Sequence, residues 1–116
     1  MYAAVRRYEG VTDPSEVTRR AQEGFIPIIS EMPGFVAYYL VDAGDGVMIA
    51  TSVFEHQEAE EESNWRAGQF VAQREASLLP NPPRITAGEL VAHKSTQTAQ
   101  RDEGVIDKAK RKLQGQ

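Results

Sequence analysis

The sequence predicts an α+β domain with the element order β-α-β-β-α-β. Two β-favouring runs, residues 35–42 and 47–54, are joined by a tight "AGDG" turn. A helical stripe lies on each side of that pair. Short β-favouring segments at 2–8 and 84–93 bracket the whole.

The first strand is "YAAVRRY", closed by Gly10. "TDPSE" (12–16) then starts a helix, because Asp13 can cap it and Pro14 suits the first helical position. Val17, Ala21, Gly24, Phe25, Ile28, Ile29 and Met32 recur at three- and four-residue steps, one face of a helix. Pro27 lies off that face, so a kink there leaves packing intact. "PG" at 33–34 ends the helix. Residues 43–46 tolerate positive φ, which makes strands two and three a hairpin. A second helix is expected at about 57–79, with Ala59, Ser63, Ala67, Phe70, Arg74 and Leu78 as its inner stripe. "LLPNPPR" (78–84) stops it, and residues 84–93 form strand four. This order is the split βαβ of ferredoxin-like domains. From Lys94 the pattern breaks. The reading is therefore a domain over 1–93 and a polar tail over 94–116, in which Val105, Ile106, Ala109 and Leu113 could form a short helix.

Composition narrows the function. The formal charge is −4 and no basic face stands out, which argues against nucleic-acid binding. The absence of cysteine excludes disulfides, thiolate catalysis and cysteine–metal sites. No apolar run approaches the ~20 residues that span a bilayer. "MYAAVRRYEG" has no apolar core of a signal peptide. The expectation is a cytoplasmic protein without membrane association.

The hairpin is apolar on both faces. One parity of strand two is Phe35, Ala37, Tyr39 and Val41, and the other is Val36, Tyr38, Leu40 and Asp42. Strand three gives Val47, Ile49, Thr51 and Val53 against Met48, Ala50, Ser52 and Phe54. Two helices cover one face, so the other calls for a second copy packed sheet on sheet. A homodimer is expected.

"EGFIPIISEMPGFVAYYLVDAGDGVMIATSVFE", followed by "EESN", resembles the antibiotic biosynthesis monooxygenase-like proteins of the dimeric α+β barrel superfamily. The resemblance covers about residues 2–93. It implies a ferredoxin-like protomer, a homodimer through the sheet faces, and a small apolar cavity between sheet and helices. Some relatives oxygenate polycyclic phenols without metal or flavin, and others degrade haem. The haem-degrading pattern of a strand-one Asn, a strand-three Trp and a helix-two His is not met, since strand one has no Asn and strand three no Trp. No glycine-rich phosphate loop follows a strand, and His56 and His93 lack metal-ligand spacing. No haem, flavin or metal is expected, and the ligand is expected to be a small apolar or aromatic molecule.

Phenol oxygenation needs polar groups that hold a substrate anion. Asn64, Tyr38, Tyr39 and His93 are the candidates for this chemistry, and Trp65, Phe35, Met48 and Phe70 for contact with the substrate. Each has a plainer reading. The adjacent tyrosines face opposite sides and could serve packing alone. Trp65 could belong to an interface stripe with Ala72, Ala76 and Leu79. His93 could be a solvated strand end. Glu58, Glu60, Glu61 and Glu62 suit the start of a helix. Arg6 or Arg7 should be near-buried, either holding an anion or paired with Glu89. A non-catalytic binding or assembly module is the alternative to a cofactor-independent monooxygenase.

Overall fold

The computed structural model describes residues 1–96. Four strands, β1 (Tyr2–Tyr8), β2 (Phe35–Gly44), β3 (Val47–Phe54) and β4 (Arg84–Glu89), form one sheet in the order β2-β3-β1-β4. Every neighbouring pair is antiparallel. The first helix is α1 (Pro14–Arg20), a π-turn (Ala21–Phe25) and α2 (Ile26–Ser30). The second is α3 (Gln57–Phe70) continued by a π-turn (Val71–Glu75). The expected ferredoxin-like β-α-β-β-α-β order is thus observed. The proposed tail stripe of Val105, Ile106, Ala109 and Leu113 lies outside the described residues.

Local chemistry explains the elements. The Asp13 side chain caps α1 by accepting from the Glu16 amide at 3.1 Å, and Pro14 follows at the first helical position. Val17, Ala21, Phe25 and Ile29 are the buried residues of this helix, at four-residue steps. Pro27 comes just after the π-turn and is exposed, so the ladder bond it cannot make falls where the helix already changes register and off the buried stripe. The hairpin turn carries positive φ at Gly44, Asp45 and Gly46.

The strand ends and one parity differ from expectation. β4 stops at Glu89, opposite Tyr2; it is an edge strand whose one neighbour is β1, and beyond that pair only the Leu90 amide bonds on, to the Met1 carbonyl at 2.8 Å. A bulge between Phe35 and Ala37 breaks the alternation of β2. Phe35 therefore turns inward onto Phe54, edge to face at 5.6 Å, although Tyr39 of the same nominal parity points outward.

The core lies between sheet and helices in two clusters. Phe25, Ile29, Phe54 and Ala67 form one, and Tyr8, Val11, Val17, Met48, Ala50 and Leu79 the other. The helices approach closely at Gly24, where a Cβ would come within 2.9 Å of the Phe70 ring. On the opposite side of the sheet Val5, Val36, Tyr39 and Val41 remain 38–56% exposed. Among the described residues no helix is long and apolar enough to cross a membrane. Phe54 is fully buried, so Phe54→Ala should destabilise the domain by about 3–5 kcal/mol in equilibrium denaturation.

Candidate functional site

The inner face of β1 presents Ala4, Arg6 and Tyr8, all buried. Arg6 is 2% exposed and has no carboxylate within ion-pair distance among the described residues. Burying an unpaired cation is costly, so its surroundings must replace water. One Nη1 donates to Ser52 Oγ of β3 at 3.3 Å and to Asn64 Oδ1 of α3. Ser52 in turn donates to Glu60, at 2.6 Å to Oε1. Ser63 donates to the same carboxylate at 2.8 Å. Glu60 is fully buried, and burial raises its pKa, opposed by the two serine hydroxyls and the Arg6 charge. The Arg6 charge is thus balanced at one remove, through a hydroxyl. The Nε–H of Arg6 has no hydrogen-bond partner within the protein.

Arg6 stands between two spaces. The inner one is a cavity of about 30 Å³ between sheet and helices. Its polar lining is Arg6, Tyr8, Tyr38 and Glu75, and its walls include Phe25, Met48 and Phe70. That volume admits one or two waters and no aromatic ring. Burial raises the Tyr8 pKa and pushes Tyr38 up to about 12, while the charge of Arg6 and its hydrogen bonding to both phenols pull the other way. Both phenols stay protonated near neutrality. Glu75 is 3% exposed, and its Oε2 also lacks a partner. Burial pushes its pKa up to about 7, against the Arg20 charge.

The outer space is a groove of about 400 Å³ that shares Arg6, Tyr8, Val71 and Leu79 with the cavity. It exists because the helices pack over β1, β2 and β3, which leaves the inner side of edge strand β4 uncovered. Asn64, Gly68, Ala72 and Ala76 form its helical wall, and Ile85 and the Pro80–Pro83 segment the other. That segment is pinned: Asn81 Nδ2 donates to the Glu9 carbonyl at 3.0 Å, and the Thr12 amide to the Leu78 carbonyl at 3.2 Å.

Several sequence-derived candidates meet here and others do not. Asn64 touches Arg6 and lines the groove, and Tyr38, Met48 and Phe70 line the cavity. Tyr39 points away on the outer sheet face, 56% exposed. Phe35 belongs to the core beside Phe54 and lines neither space. His93 is exposed and lies beyond β4, which ends four residues earlier than expected. Trp65 is 62% exposed in a separate surface groove with Glu23, Ile28 and Gln69, so it does not continue the Ala72–Ala76 surface. Glu89 is no partner of Arg6, since it lies opposite Tyr2; Arg7 instead pairs with Glu9 at 2.8 Å. Of the acidic run, Glu60 is buried rather than solvated. Among the described residues no three His, Asp or Glu side chains gather where they could hold a metal ion.

Sequence reasoning missed Glu60 and Glu75. A strict 3.6-residue period puts Arg74 on the inner stripe. The π-turn Val71–Glu75 adds a residue to that turn, so Glu75 points inward and Arg74 outward.

No family model matches the sequence, and none of the curated proteins does. Solved structures do match. A monooxygenase from the ActVA-Orf6 gene of Streptomyces coelicolor, in complex with nanaomycin D, superposes with a TM-score of 0.61 at 22% identity, covering 83% of this chain and 92% of that one. SnoaB, a cofactor-independent oxygenase from Streptomyces nogalater, gives 0.55 at 18% identity, covering 83% and 96%. A putative antibiotic biosynthesis monooxygenase from Chloroflexus aurantiacus gives 0.62 at 16% identity, covering 81% and 96%. The chain has the fold of the antibiotic biosynthesis monooxygenase-like proteins. At these identities the likeness establishes the fold, and the chemistry must be argued from the residues.

The pH response of stability follows from Glu75. Its folded-state pKa is raised from 4.5 to about 7. The cost of ionising it in the fold is therefore absent at low pH and grows as pH rises through that window. Glu75→Gln should melt a few degrees higher than wild type above about pH 7, and the two melting curves should merge below about pH 4.5.

Proposed function

We propose that the protein binds a flat aromatic or quinone-like molecule in the groove and oxygenates it without a cofactor. The observation that carries this reading is Arg6: a buried guanidinium without a carboxylate of its own, facing a largely apolar groove of ligand size. Such a cation suits the oxygen of a phenolate or enolate. Asn64, also on the groove wall, holds Arg6 and can donate its amide to the same oxygen. The fold is shared with a cofactor-independent oxygenase and with a monooxygenase that holds nanaomycin D, which supports the reading. In such chemistry the ionised substrate supplies the electrons. For an anthrone-like ring, a CH2 group and O2 become C=O and H2O.

The uncovered outer sheet face supports a homodimer, with Val5, Val36, Tyr39 and Val41 in the interface. Light scattering should give about twice the 12.9 kDa chain mass, and Tyr39→Lys should yield monomer or precipitate. A stable wild-type monomer at micromolar concentration would refute the dimer. The exposure of Trp65 favours the second reading, a non-catalytic binding module that uses that helix surface.

Oxygen uptake with anthrone-like phenols separates the two. Uptake is expected from wild type. Asn64→Ala should lower turnover by about 10-fold or more while changing binding less, because stabilisation of a developing oxyanion acts on the transition state. No uptake across a panel of such phenols would favour the binding module.

A further inference from the structure

Among the described residues, two buried side-chain atoms lack any hydrogen-bond partner within the protein: Arg6 Nε and Glu75 Oε2. They come from different elements, β1 and the π-turn of the second helix, and both residues line the inner cavity. One is a donor and the other an acceptor. A buried unpaired polar atom is costly, and two of complementary kind on one space of water size mark it as a polar link rather than a packing defect.

We propose that Glu75 is the internal proton acceptor of this site: a hydroxylated ligand whose oxygen comes to rest against Arg6 gives its O–H proton, through water in the inner cavity, to Glu75 Oε2. The inference rests on the groove reading above. The O–H bond of the ligand breaks, its electron pair stays on oxygen beside the guanidinium, and an O–H bond forms on the carboxyl. The step changes no net charge inside the protein. Before it, the negative charge sits on the Glu75 carboxylate lining the cavity; after it, the charge sits on the ligand oxygen against the guanidinium. Moving the charge within a low-dielectric site avoids bringing a second anion in.

The neighbours of Glu75 leave it this role. Tyr8 and Tyr38, from β1 and β2, remain protonated and can relay or donate but not store a proton. Arg20 of α1 acts on Glu75 electrostatically, yet its guanidinium is committed: Nε donates to Glu16 at 2.7 Å and Nη1 to the Arg74 carbonyl. Glu16, from the same helix, opposes Arg20. The remaining lining of the cavity is apolar. The carboxyl titrates near neutrality, where a proton acceptor is useful.

The test uses 2-naphthol, which is neutral in water between about pH 6 and pH 8 and whose near-ultraviolet absorption moves to longer wavelength on ionising. Calorimetry in two buffers of different protonation enthalpy counts protons released per ligand bound. For wild type at about pH 8, the bound spectrum should be that of the anion with close to zero protons released, because Glu75 keeps the proton. At about pH 6 Glu75 is already protonated, so release should rise toward one proton or the bound ligand should stay neutral. Glu75→Gln and Glu75→Leu should show that low-pH behaviour at both values. Anionic ligand with no proton release in both variants would overturn the role of Glu75. Arg6→Gln reports on the groove reading separately: its bound ligand should remain neutral, and an unchanged anionic spectrum would overturn the Arg6 seat instead. Absence of 2-naphthol binding to wild type would overturn both.

Discussion

A guanidinium buried in the sheet with no carboxylate beside it is the constraint around which this domain is arranged. Arg6 sits on the inner face of a central strand, where an apolar side chain would ordinarily go. Leaving such a charge unsolvated would cost more than a small domain's whole stability, which is about 5–15 kcal/mol. The sheet and the second helix answer with Ser52, Asn64 and, one hydroxyl further away, Glu60 held by Ser63. These contacts fix the facing of α3, since Glu60, Ser63, Asn64 and Ala67 must all turn toward β1 and β3. The polar network thus sets the rotation of the helix that also forms the groove wall.

Why the charge is answered at one remove has a physical rationale. A direct salt bridge would satisfy Arg6 and end its capacity to bind anything else. With Ser52 interposed, Glu60 lowers the electrostatic cost of the buried cation while Nε stays unpaired within the protein. Asn64 contributes in the same way, as a neutral acceptor that holds the guanidinium without quenching its charge.

Much of the fold was legible in the sequence, because period and turn chemistry report on backbone geometry directly. The hairpin turn at 43–46, the capped start at Asp13 and Pro14, and the opposed faces of Tyr38 and Tyr39 all follow from such signals. Two of the errors share an origin, a change of phase inside an element. The bulge after Phe35 moved that ring from the outer face into the core. The π-turn at Val71–Glu75 exchanged Arg74 for Glu75 on the inner side. Neither leaves a residue pattern that periodicity can detect, because the element continues on both sides of the slip. Glu60 was hidden differently: in a run of acids at a helix start, local electrostatics explains every member equally well. What singles it out is Ser52, eight residues away on the neighbouring strand.

Bulges and π-turns are frequent at functional sites because they aim a side chain where regular structure would not. Here the π-turn places a carboxyl on a water-sized cavity that Arg6 also lines, and Asn64 holds that arginine from the groove side. The edge position of β4 then supplies what the cavity lacks, a ligand-sized space in contact with the same arginine. The cofactor-free oxygenation proposed above asks little more of a protein: an anion seat, somewhere for the proton to go, and an apolar surface for the ring. The same division explains why the cavity is small. A space wide enough for the ring would expose Glu75 to solvent, lower its proton affinity, and remove the reason for burying it.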